Sequence, residues 1–90
     1  MARIPSPAAE ELGKAIKRRR IAIEYTQEKL AHASDVGTSN IRSYENGYAL
    51  PNVFTLIRIA DALGVKPGDL LDGLTPEMFP AHGNTGSIGR

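Results

Sequence analysis

Ninety residues make one domain and little more, and a core of that size must be compact and efficiently packed. The chain has no cysteine, which removes disulfides, thiolate metal sites and cysteine nucleophiles. No apolar run approaches the ~20 residues of a membrane span, and MARIPSPAAEEL lacks the apolar segment of a signal peptide, so a soluble, cytoplasmic protein with no membrane partner is expected. Net charge is +1 but unevenly spread: residues 1–20 carry +4, residues 21–58 carry −1 and residues 59–90 carry −2. Such a gradient suits an anionic partner met at one end of the molecule, although a basic run such as KAIKRRR is by itself only a solvated helix face.

Residues 1–8 read as a loose arm, because Pro5 and Pro7 disfavour helix. From Ala9 to Ile23 the pattern is helical, with Leu12, Ile16 and Ile23 on one stripe. Thr26 is a suitable N-cap for a second helix, QEKLAHAS, whose small inward residues Ala31 and Ser34 flank Leu30. Asp35-Val36-Gly37 forms the connection, Asp tolerating the left-handed conformation of a tight turn. A third helix follows from Thr38 to Tyr44 or Glu45 and stops at Asn46-Gly47. Asn52 caps a fourth, VFTLIRIADAL, closed by Gly64, with Phe54, Leu56, Ile57, Ala60 and Leu63 as its apolar positions. Pro67 opens a short fifth helix. No strand-like alternation survives, so the fold class is an all-α bundle of five short helices, with a domain over residues 9–73 and a partly ordered tail over 74–90.

Two helices joined by a three-residue turn, the second with a polar outer face, make a helix-turn-helix. Counting about 100° per residue from Thr38, Arg42, Asn46, Ser39 and Ser43 fall between roughly 40° and 140°. Ile41 and Tyr44 lie on the opposite side as core anchors, and Asn40 lies nearer that side, divided between packing and a phosphate contact. Short polar side chains let the backbone approach base edges, while Arg42 is long enough to reach a guanine or a phosphate.

The run TQEKLAHASDVGTSNIRSYENG, followed by PNVFTLIRIADALGV, resembles the lambda-repressor-like, XRE-type (Cro-type) helix-turn-helix family. The likeness covers about residues 10–72 and includes Leu12-Gly13, Arg20, Thr26-Gln27, Leu30-Ala31, Ile41 with YENG across 41–47 and TLIRIADALGV at 55–65. It implies a sequence-specific double-stranded-DNA-binding transcriptional regulator, of repressor type and bacterial or phage origin. In that family Thr38, Ser39 and Ser43 match base-reading positions, and Arg42 stands where the family varies. Gln27 and Asn46 match backbone contacts, and Arg20 and Glu45 match a structural ion pair. The DNA-facing charge of the first helix then falls to Lys14, Lys17, Arg18 and Arg19, the first three taken for phosphates, with Asn40 as a further backbone candidate.

The chain departs from the family at several points. Glu24 and Asp35 occupy positions where Gly is common, and Tyr25 one where Leu is usual. Gly37 replaces the usual Ser or Thr cap of the third helix, and Arg19 a frequent apolar residue.

His32 and His82 are too isolated for a metal site; no cofactor is implied and no catalytic arrangement is present. Leu70, Leu71, Leu74, Met78 and Phe79 exceed what a short terminal helix requires, which points to a two-fold homodimer contact. Two other readings compete: an antitoxin or immunity component that binds a partner protein as well as DNA, and a helix-turn-helix used only for protein–protein interaction.

Overall fold

A computed structural model of the chain describes residues 6–79. Helix α1, Pro7–Ala22, begins two residues before the expected Ala9 because Ser6 caps it: its hydroxyl accepts the Ala9 N–H at 3.1 Å. Pro7 is at home in the first turn, where its missing N–H leaves no bond unmade. Ala8 and Ala9 are buried, so the arm is shorter than residues 1–8, and its first five residues lie outside the described ones. The helix ends at Ala22, and Glu24 turns the chain in the left-handed region at φ 61°. Ile23, expected on the apolar stripe, sits at the C-cap with non-helical dihedrals and is 40% exposed, since leaving the helix also leaves its periodicity.

Helix α2, Gln27–Ser34, starts where the Thr26 hydroxyl accepts the Lys29 N–H. Asp35 closes it at φ 57°, and the Val36 N–H returns to the Ala31 carbonyl at 3.0 Å. Helix α3, Thr38–Glu45, follows at once. Helix α4, Val53–Leu63, is capped by Asn52, whose side chain accepts the Thr55 N–H at 2.8 Å, and ends at Gly64 with φ 75°. Helix α5, Pro67–Leu71, is pinned at its start by Asp69, which accepts the Lys66 N–H. A 3-10 turn at Pro76–Met78 follows, which the sequence pattern did not announce. No strand occurs among the described residues.

Helix α1 packs on α3 and α5, α2 packs on α3 and α4, and α4 also meets α5. All five helices feed one core, in which Ile16, Leu30, Ile41, Ile59 and Leu70 are the largest fully buried side chains. The inward stripe of α4 is Leu56, Ile59, Ala60 and Leu63. Phe54 and Ile57, expected inside, are 65% and 49% exposed. They lie about 100–160° around the helix from Leu56, and one stripe is all the small core can cover.

Candidate nucleic-acid interface

Helix α3 has eight residues, too few to be stable alone; isolated helices shorter than ~12 residues are marginal in water. Its position is imposed by its neighbours. Ile41 is fully buried, which contributes roughly 2–3 kcal/mol, and Tyr44 packs half-buried against the same core. On the other flank Gly13 of α1 lets two backbones meet. A Cβ built there would stand 2.2 Å from the Tyr44 carbonyl oxygen and 3.0 Å from that of Glu45.

The lower end of α3 is held by charge. Glu45 is buried and accepts the Arg20 Nε at 2.6 Å and Nη2 at 2.9 Å, a bidentate pair. The Gln27 amide donates to the same carboxylate at 3.0 Å, and Arg20 Nη1 donates to the Tyr25 carbonyl at 2.7 Å. One guanidinium therefore joins α1, the turn before α2, and α3, while Gln27 adds the start of α2. Hydrogen bonding to Glu45 raises the Arg20 pKa above its ordinary value against the opposing effect of burial, so Arg20 stays charged at any working pH. No buried side-chain polar atom among the described residues lacks a partner.

Opposite these anchors α3 exposes Ser39, Asn40 and Arg42 to solvent, with Thr38 and Ser43 half-buried at the margins and Asn46 exposed just past the end. Asn40 belongs to the outer surface rather than to the packing. The N-cap Gly37 makes no side-chain bond, and its φ −59° and ψ 143° are open to any residue. Gly47, at φ 77°, ends the segment, and the Tyr48 N–H reaches back to the Ser43 carbonyl at 3.0 Å.

On α1, Lys14, Lys17 and Arg18 are exposed. Measured around α1 from Gly13, which faces α3, they lie at about 100°, 40° and 140°, outside the buried stripe. Arg19 falls at about 240°, away from it.

Three contacts escaped the sequence reading. Arg58 of α4 clamps the turn by pairing with Asp35, donating to the Ser34 carbonyl at 3.1 Å, and stacking over Phe54 at 4.8 Å. Glu28 lies 3.9 Å from Arg42. The Gly13 approach was visible only as a motif letter. Arg58 and Gly13 have partners far along the chain, which no local spacing rule reaches.

The apolar C-terminal set is divided by the fold. Leu70 is 1% exposed and belongs to the core of its own domain, so it cannot line a contact between molecules. Its neighbours Leu74 and Met78 are half-buried, while Leu71 and Phe79 are exposed. No group of residues that could hold a metal ion occurs among the described residues. None of their helices is long and apolar enough to cross a membrane.

Comparison with known proteins fits this architecture. A family model described as "Helix-turn-helix" (HTH_3) matches residues 16–70, more than half of the chain. The HTH-type transcriptional regulator ImmR of Bacillus subtilis (strain 168) is 33% identical over 60 residues, covering 67% of this chain; the chain spans about half, 47%, of that relative's length. Among solved structures, the restriction-modification controller protein C.AhdI from Aeromonas hydrophila superposes with a TM-score of 0.67 at 26% identity, covering 69% of this chain and 94% of that one. The biofilm master regulator SinR, solved in complex with DNA, superposes with a TM-score of 0.66 at 29% identity, covering 68% of this chain and 98% of that one. The chain belongs to the XRE-type helix-turn-helix family.

Proposed function

We propose that this domain binds double-stranded DNA sequence-specifically and regulates transcription, acting as a repressor by occupying its site. The observation that carries the reading is the exposed polar face of α3, held rigid from behind by Ile41 and by the Arg20–Glu45–Gln27 network. A helix presented this way fits a major groove. Thr38, Ser39, Arg42 and Ser43 read base edges. Lys14, Lys17, Arg18, Asn40 and Asn46 hold phosphates, as does whichever amide hydrogen Gln27 leaves free of Glu45. Selection of bound duplexes from a random pool tests it: a consensus a few base pairs long is expected, and a pool that never enriches overturns it. Within that consensus, Arg42→Ala relaxes one base pair by about 1–3 kcal/mol, whereas Lys17→Ala weakens all sequences alike and lowers the salt slope by about one.

The reading includes a homodimer, which sets two recognition helices about 34 Å apart. With Leu70 withdrawn into the core, the larger free apolar area is on α4, where Val53, Phe54 and Ile57 are 71%, 65% and 49% exposed. Ile57→Glu should then give the monomer mass in sedimentation at micromolar concentration. A wild-type chain that sediments only at 9.7 kDa, with and without DNA, overturns the dimer.

A further inference from the structure

Three carboxylates lie on α2, α3 and the turn between them, each within ion-pair distance of a different guanidinium, and Glu28 adds a weaker attraction to Arg20. Glu45 is taken by Arg20 and Gln27, and Asp35 by Arg58; both arrangements are internal struts. Glu28 differs. It stands in the first turn of α2, its side chain is 71% exposed, and its Oε2 lies 3.9 Å from Nη2 of Arg42, itself 51% exposed. Glu28 and Thr38 both line the shallow cleft between α2 and α3, so the carboxylate stands beside the polar face.

We infer that Glu28 sets specificity by holding Arg42 back from indiscriminate phosphate contact and releasing it only to a base edge that binds it better. The inference rests on the DNA reading above and gives Arg42 a partner in the free protein. An exposed ion pair of this kind biases an equilibrium only about two- to fivefold. A bidentate contact to guanine favours the right base by about fivefold to more than a hundredfold, so a correct site displaces Glu28 readily. A phosphate contact carries no sequence information and offers Arg42 no such margin over Glu28. Non-specific DNA is therefore discouraged more than the cognate site. Glu28 is a positioning residue here, acting through Arg42.

The test is a double-mutant cycle on the full chain: wild type, Glu28→Gln, Arg42→Ala and the double variant. Each is titrated by fluorescence anisotropy against a selected duplex and a mixed-sequence duplex. Both side chains are exposed, so thermal midpoints should stay within a degree or two. Glu28→Gln should tighten the mixed-sequence duplex more than the selected one, lowering their affinity ratio about two- to fivefold. In the Arg42→Ala background the same change should leave that ratio unaltered. Equal tightening on both duplexes, or the same drop in ratio without Arg42, overturns the role of Glu28 and leaves the DNA reading standing. A wild type with no preference for any selected duplex overturns both.

Discussion

Gly13 and Tyr44 touch backbone to backbone: a single added methyl group on Gly13 would lie 2.2 Å from the Tyr44 carbonyl oxygen, deep inside contact distance. Neither atom belongs to a flexible side chain, so only a shift of α1 against α3 can relieve the clash. Gly13→Ala should therefore destabilise the domain by about 2 kcal/mol, despite the better helix propensity of alanine. Thermal unfolding should show a midpoint lower by roughly 10 °C. A midpoint within a degree of wild type contradicts the close approach.

The pair formed by Arg20 and Glu45 is nearly dry, with side chains 11% and 1% exposed. Removing one partner strands a buried charge, so Glu45→Ala should cost about 3–5 kcal/mol in urea unfolding. Replacing both at once, Arg20→Met with Glu45→Leu, should stay within about 1 kcal/mol of wild type if Gln27 finds water. The Arg20 pKa is raised, so its contribution is complete below the ordinary arginine value and fades only as pH climbs past the folded one. Titration of Arg20 should consequently add no slope to stability between about pH 6 and 10.

Glu24 occupies the left-handed region at φ 61°, and its side chain makes no hydrogen bond or ion pair among the described residues. An L-residue there costs about 1–2 kcal/mol, partly offset in any glycine replacement by the entropy of the unfolded chain. Glu24→Gly should raise stability by about 0.5–1 kcal/mol, visible as a thermal midpoint up by a few degrees. Asp35 shares the conformation but pairs with Arg58, so Asp35→Gly should gain less.

At the N-cap of α3 a Cβ on Gly37 would meet only the Asn40 side chain, at an ordinary 3.8 Å. The position therefore accepts a serine without strain, and its hydroxyl would cap α3 where no side chain does now. Gly37→Ser should stabilise the domain by a few tenths of a kcal/mol. On the DNA reading it should also tighten duplex binding a few-fold by adding a donor for a phosphate. Anisotropy titration beside a thermal melt separates the two effects.

The ends of the elements were legible because their caps are chemical signals: Thr26, Asn52 and Gly64 fix α2 and α4 through one hydroxyl, one amide and one left-handed turn. Which face of α4 turns inward was not, since Phe54, Leu56, Ile57 and Ile59 are all apolar and only the volume available decides among them. Leu70 and Leu71 pose the same problem, two identical residues of which the fold buries one. The angles of α3 separated the buried Ile41 from the exposed Ser39 and Arg42, but they left Asn40 divided, and the structure exposes it. The role of Gly13 stayed hidden, because what it meets is a carbonyl that every residue type carries.

The anchors of α3 all lie behind it, in Ile41, Tyr44, Glu45 and the space left by Gly13, while Ser39, Asn40 and Arg42 support no packing. Holding and presenting are thus assigned to separate sets of side chains. The outward residues can be exchanged as a group, by drift or by design, without renegotiating the fold. A lineage built on this scaffold can change the surface it presents at almost no thermodynamic penalty, and that freedom stems from the short, dependent helix.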